Sequence, residues 1–429
     1  MIEKNIGKIM HDWAKDLFPI CRSITGGGVR ETLDYIANLV QNLTIYDVKS
    51  GTKVFDWVVP DEWTMRDAYI SDESGQRVVD FKKNNLHIVG YSEPVDLWLN
   101  RDELDRYLYS LPSQPDAIPY VTSYYYRQWG FCLAHRQRQE LEEGLYHVVV
   151  DSDIKPGVLN YAEVVIPGES KKEVLLSTYI CHPSLANNEL SGPVVTTALA
   201  QWIYSLKNRR YTYRIVFVPE TIGSIAYLSR NISHLKKKVV AGFNITCIGD
   251  ERCYSYLPSR SKDTLSDQVA THVLRNIDYK YKRYSWLDRG SDERQYCSPG
   301  IDLPIATIMR SKYGEYDVYH TSLDYLNLVT PKGLEGGFKA LKKSIEVIEK
   351  NMILKVSVFC EPQLGKRGLY QTLSRVPSSD NVRIIMDLIS YCDGSKTLLD
   401  IADIINQPFW ELLPLSEKLI KEGLLLKVT

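Results

Sequence analysis

The sequence predicts an α/β protein: a mostly parallel, mixed sheet with helices on both faces, plus an inserted β-rich domain and a C-terminal winged helix. Three observations carry this expectation. From about 144 to 350, apolar runs of strand length alternate with segments of helical period, the pattern of strands joined by crossover helices. Between about 46 and 140 that rhythm gives way to short β-type runs broken by turn residues. The segment 380–429 holds three short helical patterns and an apolar strand behind Gly423, the plan of a winged helix. The boundaries drawn from these shifts are 1–45 with 141–355 for the α/β domain, 46–140 for the insert, and 356–429 for the winged helix.

The elements follow in order. Residues 1 to about 45 look helical, and Leu33, Ile36, Leu39 and Val40 share one apolar face behind the triplet Gly26-Gly27-Gly28. A Gly-rich turn at a helix start can hold an anion, but this one lacks the Lys-Ser/Thr of a phosphate loop and follows no clear strand. A plain helix entry is the expectation. Ile45 to Val48 and Lys53 to Pro60 are β-type, and aromatic clusters follow at Tyr124 to Tyr126 and Trp129 to Phe131. Tyr146 to Val150 and Tyr161 to Gly168 read as a strand pair. Glu173 to Tyr179 and Arg214 to Pro219 read as buried strands, each followed by a helix, at 192–206 and from about 223. Val239 to Cys247 is a further strand. In parallel sheets, ligands sit beyond the carboxyl ends of the strands, so chemistry is sought there.

Composition bounds the function. The chain has 429 residues, 44% hydrophobic and 24% charged, with net charge −1, which excludes a disordered chain and a basic nucleic-acid binder. Tyr outnumbers Phe 29 to 9, a bias that suits half-wet binding surfaces. The eight cysteines include no C-x-x-C, and neither an export signal nor a membrane-length apolar run is visible. A cytoplasmic protein with free thiols and no membrane partner is expected. The segment 380–429 carries five basic residues against eight acidic ones, net −3, and Phe409 to Pro414 offers aromatics and an acid where a DNA-reading helix needs donors. Protein contact or self-association, with no nucleic acid, is therefore expected of it.

Polar clusters follow the strands. His182 comes after the third core strand, with Asn188, Glu189 and Ser191 close behind. Glu220 ends the next strand, and His320 and Asp324 come later. Imidazoles with a nearby Glu are the kit for metal-assisted hydrolysis: the cation activates water and the carboxylate takes its proton. Each residue has a plainer reading beside this one. His182 fits a strand-end histidine, Glu220 a carboxylate at a helix N-terminus and Asn188 an N-cap. The loop Arg289 to Arg294 reads equally as a solvated loop or a substrate contact. The tyrosines at 124–126 read as packing surface or substrate platform.

The order His182…Asn188-x-x-Ser191-Gly192…Glu220-x-x-Gly223-Ser224…His320-Thr321-x-x-Asp324 resembles the zinc aminopeptidase-like proteins of clan MH, with their glutamate carboxypeptidase-like relatives. The strings Phe18 to Gly26, Lys53 to Trp57, Cys181 to Asn187, Pro219 to Ser224 and Gly290 to Gln295 are similar to a bacterial family of unassigned function that joins this fold to an inserted β domain and a C-terminal winged helix. The resemblance spans nearly the whole chain. It implies metal ligands at His182 and His320 and a general base at Glu220. It also implies that three carboxylate ligands of the two-zinc relatives are replaced here by Asn188, Thr221 and Thr246. Two close dications need carboxylates between them, so the resemblance implies one zinc, on His182, Asn188 and His320. Glu189, Asp292, Arg294 and Asp324 are expected to support these ligands or touch substrate, with Asp317 and Asp324 placed to orient His320. The expected function is metal-dependent hydrolysis of a small peptide or amide-bearing metabolite. The alternative is a degenerate member that binds a small molecule or a protein without turnover.

Overall fold

A computed structural model describes residues 5–367 and 380–428. Residues 1–4, 368–379 and 429, which fall inside the expected domain spans, lie outside the described residues.

The main sheet has eight strands: β1 (Thr44–Lys49), β2 (Val158–Ile166), β3 (Glu173–Tyr179), β4 (Thr212–Val218), β5 (Val239–Asn244), β6 (Ser255–Leu257), β7 (Lys282–Arg283) and β8 (Ile305–Met309), in the spatial order β1-β2-β4-β3-β5-β8-β6-β7. The centre, β4-β3-β5-β8, is parallel, with Glu173 opposite Thr212, Leu175 opposite Gly242 and Gly242 opposite Ile305. β2 runs antiparallel to β4, and β6 to β8. Every residue of β3 is buried, as expected of a central strand in a doubly covered sheet. The flanking helices are α1 (Ile6–Leu17), α2 (Gly27–Leu39), α3 (Ser191–Ser205) and α4 (Ile222–Lys238); α5 (Leu265–Ile277) and α6 (Pro331–Lys350) come later in the chain. α3 packs on β3 and on α1, and α4 packs on β2 and β4. α4 ends in Lys236, Lys237 and Lys238, cations that complement the carbonyl end of its dipole.

The glycine triplet enters α2 by close packing. Gly26 is at φ +98°, and a Cβ on Gly28 would stand 1.9 Å from the Cys21 carbonyl oxygen. The chain itself fills the space an anion would need at Gly28.

Two strand assignments differ from the sequence reading. Leu145–Lys155 does not pair with β2. It is an inner strand of a separate four-stranded antiparallel sheet with Arg77–Asp80, Glu62–Ser71 and Val95–Asn100. Alternating Val148 and Val150 suit any antiparallel neighbour, and Ala68, Ile70 and Leu97 provide the apolar partners. Conversely Thr44–Lys49, whose texture resembles the insert, is the edge strand β1 of the main sheet.

Gln268–Tyr279 and Ala340–Thr429 form a second compact unit. In it, Ile353–Val356 is the centre of a three-stranded sheet between Asp393–Thr397 and Leu425–Val428. Besides most of α5 and the C-terminal half of α6, it contains α7 (Asp380–Tyr391), α8 (Leu398–Ile404) and α9 (Phe409–Lys421). Thr397 and Asp400 cap α8 reciprocally, a device of about 1 kcal/mol. None of the eight cysteines is paired. Among the described residues no helix is long and apolar enough to cross a membrane.

Candidate active site

β3 delivers His182 three residues past its end. The side chain is buried, and Nδ1 lies 2.9 Å from Glu189 Oε2. The other Glu189 oxygen is 3.5 Å from Nε of Arg22, whose side chain is fully enclosed. Arg22 also donates from Nε to the His182 carbonyl at 3.0 Å and from Nη1 to the Leu17 carbonyl at 2.6 Å. An arginine from the N-terminal segment thus holds the His182 loop from behind. Burial opposes the charge on both partners: it pushes Glu189 up to about 8 against the pull of Arg22, and it lowers Arg22. Burial, aided by the Arg22 charge, holds His182 down at about 3. The neutral ring is tied to Glu189 through Nδ1, and Nε2 faces Glu220 Oε2 at 3.7 Å.

Glu220 leaves β4 at the start of a tight turn. Thr221 sits at φ +64°, and Ile222 N–H donates to the Glu220 carbonyl at 2.8 Å. Asp292 secures this turn: its Oδ1 accepts Thr221 N–H at 2.8 Å and the Ser224 hydroxyl at 2.7 Å. Burial raises the carboxyls of Glu220 and Asp292, and their mutual repulsion adds to the rise at Glu220. Ser184, Cys247 and His320 also have positive φ, so strained backbone collects on the loops at this sheet edge.

His320 comes from the loop after β8. Its Nε2 is buried without a hydrogen-bond partner, its ring stacks on Tyr319 at 3.9 Å, and burial followed by the nearby His182 lowers it to about 3. The rings of His182 and His320 are 5.6 Å apart. The insert completes the arrangement. Tyr120 N–H donates to the His320 carbonyl at 2.9 Å, and Ser322 N–H donates to Ile118 O at 2.9 Å. The Tyr120 ring lies 5.2 Å from that of His182 and 5.1 Å from that of His320.

His182, Glu220, Arg294 and His320 line one cleft of about 320 Å³, with Trp57, Tyr120, Tyr124 and Tyr125 among the other lining residues. The remaining predicted residues stand behind it. Asn188 is buried and does not line the cleft; its Oδ1 accepts the Tyr179 hydroxyl at 2.9 Å and its Nδ2 is unpartnered. Nor is it an N-cap, since α3 begins behind Leu190. Asp324 does not orient His320. Its oxygens accept the backbone N–H groups of Asn187 and Asn188 at 2.7 and 2.9 Å, and Tyr316 at 2.9 Å, so it shapes the turn ahead of α3. Asp317 pairs with Arg252 instead. The charged loop divides: Ser291, Asp292 and Glu293 are buried while Arg294 faces the cleft. Sequence reasoning gave no role to Arg22, Tyr179 or Trp57. Arg22 and Trp57 lie in the strings Phe18 to Gly26 and Lys53 to Trp57, the available signal.

The comparisons bear on this arrangement. Residues 11–351 match a family described as a domain of unknown function (DUF4910), and residues 351–427 match a winged helix-turn-helix family. The chain belongs to the DUF4910 family. A Clostridium acetobutylicum protein, provisionally named a polysaccharide biosynthesis protein with an aminopeptidase-like domain, is 44% identical over 400 residues, which is 92% of this chain and 91% of that relative. A crystal structure from the same organism, of a protein provisionally named a peptidase, is 41% identical, covers 100% of this chain and 98% of that one, and superposes with a TM-score of 0.94. A zinc aminopeptidase from Bacillus subtilis is 11% identical with a TM-score of 0.56, covering 81% of this chain and 94% of that one. That last likeness shows a shared, aminopeptidase-like fold.

The zinc of such a neighbour can be tested against the residues here. The unpartnered Nε2 of His320 and the Nε2 of His182 suit one cation, with Glu220 as the nearby anion. Cys181 Sγ, His182 Nδ1 and Glu189 also come within 4.8 Å of one another, but the Arg22 guanidinium on that side opposes a cation. Asn188, Thr221 and Thr246, where the resemblance implies that relatives carry further ligands, have no charge. The donor types that face the cleft, two imidazoles and one carboxylate, fit zinc.

Proposed function

We propose that the cleft hydrolyses the amide bond of a small peptide or amide-bearing metabolite, with one zinc held by His182 and His320. One observation carries this reading: two neutral imidazoles, one with a free buried nitrogen, share a cleft with a carboxyl raised toward neutral pH. When bound, zinc would polarise the amide carbonyl and acidify water. Glu220 accepts a proton from the attacking water and returns it to the departing nitrogen. Glu189 fixes the His182 ring, Asp292 fixes the Glu220 turn, and the tyrosines of the insert limit water and substrate size. The names of the two Clostridium acetobutylicum relatives, one a polysaccharide biosynthesis protein and one a peptidase, keep both substrate classes in the proposal. The second reading, binding without turnover, rests on Asn188, which faces Tyr179 instead of the cleft. For the winged helix we propose protein contact, on its acidic charge.

The test is metal analysis of protein purified without added metal, then a panel of leucyl, alanyl and acidic amides with and without zinc. Zinc-dependent release of amine supports hydrolysis. No metal and no turnover would overturn it.

A further inference from the structure

Among the cleft-lining residues, Arg294 is the only cation and Glu220 the only carboxylate. Arg294 rises from the short helix Glu293–Tyr296, and its Nη2 donates to Thr221 Oγ1 at 2.8 Å. No carboxylate of the described residues pairs with its guanidinium within 4 Å, although its charge acts on Glu220 and Asp292, whereas Arg66, Arg77, Arg138, Arg214 and Arg260 are all paired directly. The anchor is rigid: Thr221 is held at φ +64° by Asp292, which accepts its N–H. One donor of the fork is thus fixed, in a side chain that lines the cleft. Trp57, Tyr120, Tyr124 and Tyr125 supply an aromatic surface in the same cleft.

A free α-ammonium entering here would meet a guanidinium. A carboxylate would meet a planar, fixed donor of matching geometry. We propose that Arg294 is a carboxylate subsite, and that the cleft takes amides whose amine portion bears a carboxylate near the nitrogen, with the acyl group on the aromatic surface. The proposal rests on the amide-hydrolase reading for its chemistry and on Arg294 for its charge preference. The reaction is a simple hydrolysis. Water's oxygen bonds to the acyl carbon, the C–N bond breaks, and the proton goes to nitrogen, giving a carboxylic acid and an amino acid.

The probes are N-benzoylglycine and its methyl ester, titrated calorimetrically into the full-length protein, its Arg294→Gln variant and its Arg294→Lys variant. A charge-assisted hydrogen bond predicts that the acid binds wild type about 10- to 100-fold tighter than the ester. That gap should close in Arg294→Gln and be partly kept in Arg294→Lys. Equal binding of acid and ester, a gap that survives in Arg294→Gln, or no binding of either would overturn the subsite. Tighter binding of leucinamide than of N-benzoylglycine would do so too. Product formation is followed separately. Carboxylate-dependent binding without product leaves the subsite standing and defeats hydrolysis. Turnover with no charge preference does the reverse.

Discussion

Arg22→Met tests the support behind His182. Met keeps much of the side-chain volume and removes the charge. The variant loses the hydrogen bonds to the His182 and Leu17 carbonyls at 3.0 and 2.6 Å and leaves both buried oxygens without that donor. It also removes the partner 3.5 Å from Glu189. Breaking a buried pair costs about 3–5 kcal/mol, which sets the expected loss in equilibrium urea unfolding at pH 7. Glu189→Gln alone should cost about 1–3 kcal/mol. The two changes share one network, so the double variant should lose at least about 1 kcal/mol less than the summed single losses. Zinc affinity should fall about 10- to 100-fold in Arg22→Met, because the loop orienting the ligand relaxes. A loss under about 1 kcal/mol, or strict additivity, would refute the argument that Arg22 holds this loop.

Three further outcomes follow from the same structure. Asn188→Asp adds an anion beside a neutral donor set, so zinc content by elemental analysis should rise; unchanged content would show that position 188 is no ligand. Gly28→Ala places a Cβ 1.9 Å from the Cys21 carbonyl oxygen and should cost about 1–3 kcal/mol, while Gly27→Ala, with nothing within 4 Å, should be neutral or slightly stabilising in the same melts. Burial of Glu173 works to raise its pKa, but hydrogen bonds from Arg214 and His234 outweigh it and the net shift is below 4.5. The ionised, paired carboxylate therefore stabilises the fold above pH 4.5 and loses that contribution as pH falls below it, so Glu173→Gln should flatten the acid limb of a stability profile. An unchanged limb would place the acid sensitivity elsewhere.

The core of the fold was legible because burial writes itself into sequence. Glu173–Tyr179 and Thr212–Val218 are near-continuous apolar runs, and α3 follows as a long apolar helix. Pairing was not legible where it is a tertiary choice. Leu145–Lys155 alternates in a way that fits β2 or the insert, and only the apolar faces of Glu62–Ser71 and Val95–Asn100 decide between them. Asp393–Thr397 has a turn-like composition and becomes a strand because Ile353–Val356 offers it an edge. At the site, His182, Glu220 and His320 could be found because they follow strands whose ends share one edge. The role of Arg22 could not, since its contact with the His182 carbonyl joins residues 160 positions apart. Asp324 was misread for a related reason. Its neighbour in sequence is His320, but its hydrogen bonds go to the Asn187–Asn188 turn.

In the proposed reaction Glu220 activates water in this cleft. The most direct measurement is the rate of amine release from N-benzoylglycine by zinc-supplemented wild type and Glu220→Gln, with binding of the same ligand measured in parallel. The expected result is a loss of about 10²- to 10⁴-fold in rate in Glu220→Gln with ligand binding retained. Equal rates in the two proteins would contradict it.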